Sequence, residues 1–382
     1  MAKKIAFLLI LLLIIGIFGT VQAQNIGAFC GDLSASDCDL LTQSGTAMTT
    51  VDSFGYDLNV NLDLSGVDMG PVGNSLKITL GGNGELALDR EALASIPMGV
   101  PNAEEMSNLM ENLPQMMNTL FTSFKGKGTF TLNLPPALMS GSMPSDLTFD
   151  LVMIDGVLYA NVGPLSGMSE PSWVGIDIAG MYSTMFQNMP SASGTDVPNM
   201  DFSQIYQLDF FKNLTDPKFL GRFMTVTRQD DDEVMGQKVA VFQTTLDYGA
   251  MFSDPEFMAG FDEYMATVLK MEGLSPDSMG AEYDQMMSMI STLFDNFKLN
   301  VVEWVGMDDH YVHHVGMEMA LNVNMAELAK IDPSIATTDM PDNVSFNLAF
   351  NVDLHNFNEP VDVTAPAGAQ VINPMSMMGS SF

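Results

Sequence analysis

The stretch Tyr56-Asp57-Leu58-Asn59-Val60-Asn61-Leu62-Asp63-Leu64 decides the fold. Tyr56, Leu58, Val60, Leu62 and Leu64 project to one side, and Asp57, Asn59, Asn61 and Asp63 to the other. A period of two means a β-strand with one apolar and one wet face, and clean alternation favours an antiparallel sheet. Near the far end of the chain, Ser345 to His355 sets Phe346, Leu348, Phe350, Val352 and Leu354 on one face, and Val315, Met317, Met319, Leu321 and Val323 repeat the pattern. Something must cover this apolar face. The chain holds 34 methionines, and several recur at helical spacing: Met106, Met110 and Met117 within residues 103–122, and Met286, Met289 and Ile290 within 277–294. Such flexible, polarizable side chains suit an adaptable apolar ligand, and they suit a soft hydrophobic core equally well.

Further strands are expected near 76–88, 127–134, 146–162, 173–178, 222–229, 237–247 and 297–305. Gly81-Gly82-Asn83-Gly84 reads as a hairpin or bulge dividing the first of these, and Asp155-Gly156 as a hairpin turn in the third. Residues 34–52 suggest a short helix capped by Ser34 or Ser36, and 201–220, 255–271 and 277–294 are expected to be helical. Residues 360–364 read as an edge strand, with a loose tail after Pro366. The order of elements predicts an α+β fold: a large curved antiparallel sheet, a half-barrel, with helices covering its concave apolar face.

The N-terminus has the form of a secretion signal. Lys3 and Lys4 precede the apolar run Ile5 to Phe18, and Val21-Gln22-Ala23 ends in small residues suited to cleavage. Four segments are expected: 1–23 as signal peptide, 24–45 as an N-terminal segment, 46–366 as the folded domain and 367–382 as a flexible tail. The chain is thereby expected to be exported, soluble, and periplasmic or extracellular. Cys30 follows Phe29, where lipid anchoring calls for a small residue, so acylation there is not expected. In an exported chain the close pair Cys30 and Cys38 defaults to a disulfide. A formal charge of −33 repels nucleic acid and anionic membranes.

The phrases Val226-Thr227-Arg228, Val234-Met235-Gly236-Gln237-Lys238-Val239, Thr245-Leu246-Asp247-Tyr248, Val302-Glu303-Trp304-Val305-Gly306-Met307-Asp308-Asp309 and Phe357-Asn358-Glu359-Pro360-Val361-Asp362-Val363-Thr364-Ala365-Pro366 follow one another in an order that resembles the LppX/LprG-type lipoproteins and their relatives in the LolA/LolB-like superfamily. The likeness spans roughly residues 46–366. It implies an open half-barrel with helices against its concave face, and acyl chains or lipidated molecules held between them.

No nucleophile elbow, zinc-protease motif, P-loop or dinucleotide fingerprint occurs, and neither an enzyme nor a cofactor is expected. His310, His313 and His314 follow Asp308-Asp309. On a strand, His310 and His314 share a face that His313 does not, which is poor geometry for three metal ligands. The acidic run Asp230 to Glu233 lacks the spacing of a calcium loop. The reading is an envelope carrier whose partner is a lipid or lipidated molecule, with room for transient membrane contact and no nucleic acid. Its apolar cavity is expected to be lined by Tyr56, Leu58, Val60, Phe346, Leu348, Phe350, Met110, Met117, Met286 and Met289. Two alternatives remain open: a structural or interaction protein with a filled core, and a copper binder built on methionine and histidine.

Overall fold

The computed structural model describes residues 29–67, 70, 73–94, 115–138, 145–163, 172–181, 210, 213, 216–271, 280–333 and 341–372. The first half contributes helix α1 (Ala35–Met48) and strands β1 (Ser53–Ser65), β2 (Ser75–Leu88), β3 (Phe124–Asn133), β4 (Asp146–Ile154), β5 (Val157–Asn161) and β6 (Trp173–Asp177). The second half adds β7 (Met224–Arg228), β8 (Asp232–Val234), β9 (Gln237–Leu246), helices α2 (Tyr248–Ser253), α3 (Pro255–Met271) and α4 (Ala281–Asp295), then β10 (Phe297–Gly306), β11 (Val312–Asn324), α5 (Met325–Ile331), β12 (Asn343–His355) and β13 (Gln370–Ile372).

All thirteen strands form one sheet, ordered β13-β6-β5-β4-β3-β2-β1-β12-β11-β10-β9-β7, with β8 added to β9. The two ends do not pair with each other, so the sheet is open. With helices on its apolar face, it is the α+β half-barrel architecture expected. The sheet is mixed rather than purely antiparallel, because β13 runs parallel to β6. Strands β1 and β12 join the two halves through eleven opposed residue pairs, from Gly55 with His355 to Ser65 with Ser345.

Local chemistry sets the element ends. Ser34 caps α1 by accepting from the Asp37 amide at 3.2 Å, and Asp247 caps α2 by accepting from Ala250 N–H at 2.8 Å. Helix α3 starts with Pro255 in its first turn, where a missing N–H costs nothing, and Asp254 accepts from the amides of Glu256 and Phe257, each at 3.0 Å. Asp155 and Gly156 take φ of 53° and 75°, the left-handed pair that a tight β4–β5 hairpin requires. Cys30 and Cys38 form the expected disulfide.

Three expectations on this part of the chain are corrected. Gly81-Gly82-Asn83-Gly84 neither turns nor bulges: β2 runs straight through it, in unbroken register with β1 and β3. The glycines make room for neighbouring rings. A Cβ on Gly82 would lie 2.4 Å from Phe130 Cδ1, and one on Gly84 would lie 2.6 Å from the Tyr56 hydroxyl. Residues 360–364 form no strand. Instead the chain continues past Pro366, and residues 370–372, assigned above to a loose tail, pair with β6.

Substituting Gly84→Ala is expected to destabilise the protein by about 1–3 kcal/mol, the usual cost of forcing a methyl group into occupied space. Its Cβ would also meet Lys127 O at 2.3 Å, a backbone atom that cannot swing aside. Chemical denaturation of the variant against the parent measures this.

Candidate functional site: the apolar face of the sheet

The register carries one apolar face across most of the sheet. One row of directly opposed residues reads Thr244 (β9), Val301 (β10), Met317 (β11), Phe350 (β12), Val60 (β1), Leu80 (β2), Leu132 (β3) and Leu147 (β4). The neighbouring row reads Arg228 (β7), Phe242 (β9), Glu303 (β10), Val315 (β11), Val352 (β12), Leu58 (β1), Gly82 (β2), Phe130 (β3) and Phe149 (β4). Opposed side chains within such rows are in packing distance of each other.

Two helical covers press on this face over the second half of the sheet. Helices α2, α3 and α4 bring Tyr248, Met251, Phe252, Phe257, Phe261, Met265, Met287, Ile290 and Phe294 onto Phe297, Leu299 and Met319. The aromatic rings interlock closely: Phe252 and Phe294 stack at 3.9 Å between centroids, and Tyr248 meets Phe297 edge-on at 4.8 Å. Helix α1 covers the adjacent region, where its Leu40, Leu41 and Met48 pack with Ala240, Phe242, Val305 and Val312. Arg228 fastens that cover. Its guanidinium lies over the Phe242 ring and pairs with Asp37 of α1 at 3.4 Å and with Asp231.

The first half of the face differs. Tyr56, Leu58, Val60, Leu62 and Leu64 are all half-buried, as are Leu80, Phe130 and Phe149. Phe130 stacks on Phe149 at 5.9 Å and lies 6.4 Å from Tyr56. Burial raises the pKa of Tyr56, because the phenolate would be poorly solvated there.

Of the residues expected to line a cavity, Tyr56, Leu58, Val60, Phe346, Leu348 and Phe350 share this face on the adjacent strands β1 and β12. Leu348 and Met286 pack against the aromatic cluster, and Met289 and Met117 are half-buried. Met110 lies outside the described residues. In α4 the deepest methionine is Met287, one position away from the expected stripe, because the Tyr283, Met287, Ile290, Phe294 edge faces the sheet.

The histidines separate. His310 stands in the turn before β11 at φ 63°, so it shares no strand face with His314. The β10–β11 register shifts between Trp304 and Val305, leaving His313 without a cross-strand partner. His313 is buried, with Nε2 3.0 Å from an Asp309 carboxylate oxygen. His314 lies on the polar face, its Nδ1 2.7 Å from Asp353. Among the described residues no three His, Cys, Asp or Glu side chains converge as a metal site.

Two polar groups on the apolar side escape the composition and motif reading. The Tyr248 hydroxyl is buried with no hydrogen-bond partner among the described residues. Glu303 occupies a face position with Phe242 and Val315 on either side and Val301 and Val305 along its own strand. Burial raises its pKa, since no neighbour offsets the loss of water around the carboxylate. The alternation of Phe297, Leu299, Val301, Glu303 and Val305 carries the signal: a charge stands where an apolar residue belongs.

No family model matches the chain, and no curated protein matches it. The chain is similar to solved structures at low identity. LprF from Mycobacterium bovis is 10% identical, with 88% of this chain and 99% of that chain covered and a TM-score of 0.31. The lipoprotein LppX from Mycobacterium tuberculosis is 8% identical, with 85% and 97% covered and a TM-score of 0.28. A putative outer membrane lipoprotein-sorting protein domain from Vibrio parahaemolyticus is 8% identical, with 85% and 93% covered and a TM-score of 0.18. The fold assignment rests on the strand order and register described above. No helix among the described residues is long and apolar enough to cross a membrane.

The orphaned Tyr248 hydroxyl gives a test of the core. Burial holds its pKa well above the ordinary tyrosine value of about 10. Above that pH the unfolded tyrosine ionises while the folded one stays neutral, so stability is complete below pH ~10 and falls as pH rises. Tyr248→Phe is expected to raise stability at neutral pH by about 1 kcal/mol, since it removes an unsatisfied buried group, and to flatten the alkaline decline. Thermal melts from pH 7 to 11 read both effects.

Proposed function

We propose that the protein is a non-catalytic carrier or chaperone of the cell envelope that holds the acyl chains of a lipid, or of a lipidated molecule, against the apolar face of the sheet. The observation that carries this reading is the contrast along one continuous face. Over β10 and β11 the face holds the buried Phe297, Leu299 and Met319 beneath the aromatic cluster of α2–α4, whereas over β1–β4 the face residues Leu58, Val60, Leu62, Leu80, Phe130 and Phe149 are half-buried and belong to no buried cluster among the described residues. A face that is apolar beyond its packed cover suits an apolar ligand. Binding is passive: each buried methylene contributes roughly 0.8 kcal/mol, so one long chain is enough for useful affinity.

Tyr56, Leu58, Val60, Phe346, Leu348, Phe350, Met110, Met117, Met286 and Met289 are the proposed lining. Residues 46–366 are the proposed carrier domain, preceded by a signal peptide at 1–23. The Cys30–Cys38 disulfide supports an exported, oxidising setting. The resemblance to LppX/LprG-type and LolA-like proteins noted in the sequence agrees with this role. A second reading, a structural protein with a filled core, draws on the tight α2–α4 aromatic cluster, where Met251 and Phe261 are almost fully enclosed.

Native mass spectrometry of the protein purified from its own envelope is expected to show a discrete lipid adduct that disappears on denaturation. A bare mass that stays unchanged after incubation with mixed phospholipid micelles favours the filled core. Phe350→Asp places a charge in the middle of the face opposite Val60 and is expected to weaken lipid retention at least tenfold, as read by displacement of a fluorescent fatty-acid probe.

A further inference from the structure

Glu303 is the place where the apolar face changes character. Its strand neighbour Val301 belongs to the cover made by α2, α3 and α4, and its other neighbour Val305 to the cover made by α1. The glutamate therefore stands at the join of the two covers, half-buried rather than sealed. Among the described residues no hydrogen bond or ion pair reaches its carboxyl. The nearest cation in its row, Arg228, is committed to Asp37, Asp231 and the carbonyl oxygens of Gln229 and Val241. From Glu303 the row continues through Val315, Val352, Leu58 and Phe130 to Phe149, each of them half-buried. With strands about 4.8 Å apart, that is an apolar track of roughly 29 Å starting at one carboxyl.

An unpaired carboxyl in such a place is costly unless something completes it. A cation would restore its charge through a charge-assisted hydrogen bond, stronger than a neutral one. The net charge of −33 draws cations toward the surface and repels anions. We propose that Glu303 is the head-group anchor of the carrier face, and that the cargo is an amphiphile with an amine head group, its chain laid along the Val315–Val352–Leu58–Phe130 row. This rests on the carrier reading above and narrows it to a cargo class. Arg228 has a supporting part: it holds α1 over Phe242, which keeps one wall of the anchor in place.

The test compares hexadecylamine, hexadecanol and palmitate as ligands of the full chain by calorimetry at neutral pH, with Glu303→Gln beside the parent. The amine is expected to bind the parent about tenfold or more tightly than the alcohol, with palmitate weakest, and Glu303→Gln is expected to erase the amine's advantage over hexadecanol. Glu303→Leu, which removes the unpartnered group, is expected to melt no lower than the parent, so a folding defect does not cloud the result. Equal binding of all three ligands by the parent, or an amine preference that survives in Glu303→Gln, overturns the anchor and leaves the carrier intact. Failure of all three to bind overturns both.

Discussion

An amphipathic sheet this wide has to dispose of one whole apolar face, and the rest of the molecule follows from that. The hydrogen-bonded rows cannot change which side their residues point to without a slip of register, and a slip by one would send every leucine and phenylalanine to the polar side. The β1–β12 pairing fixes that register at the centre, and everything outward inherits it. Helices α1 to α4 bring their own apolar and aromatic side chains down onto β9–β11, and the disulfide joins the N-terminal segment to α1.

Placement of charge obeys the same constraint. Asp57, Asn59, Asn61 and Asp63 point to the polar side, opposite Asp353, Asn351, Ala349 and Asn347. There the imidazoles of His314 and His355 stand beside Asp353 and Asp57, within hydrogen-bonding distance of two opposed acids. Glu303 breaks the pattern, and it does so at the boundary between two helical covers rather than inside either. Tyr248 breaks it differently, as a buried hydroxyl with no partner among the described residues, its ring packed against Phe294 and Phe297.

Much of the fold is legible in the chain because period-two alternation is a local property. The strands around Tyr56–Leu64, Val315–Val323 and Phe346–Leu354 can be read without knowing their neighbours, and so can the Asp155-Gly156 hairpin, whose residues tolerate positive φ. Gly81-Gly82-Asn83-Gly84 misleads because its glycines answer to rings on other strands, Tyr56 and Phe130, which lie far away in sequence. The pairing of residues 370–372 with β6 is invisible for the same reason: three residues have no period to read. Helices α2 and α5 are too short to show one either. The apolar residues that β1 and β12 share on one face follow directly from alternation, whereas the depth of each methionine in α4 depends on how that helix is rotated on the sheet, which the sequence does not record.

The seam between β1 and β12 also governs timing. Its two strands are separated by most of the length of the chain, so the centre of the sheet cannot pair until late in synthesis. Contacts of such long range are slow to form, and until Asn343–His355 has emerged, β1 has an open edge that nothing else in the chain is built to fill. The same holds at the outer edge, where β6 waits for Gln370–Ile372. A polypeptide arranged in this way stays threadable for as long as it is being made, and then closes from its two ends inward.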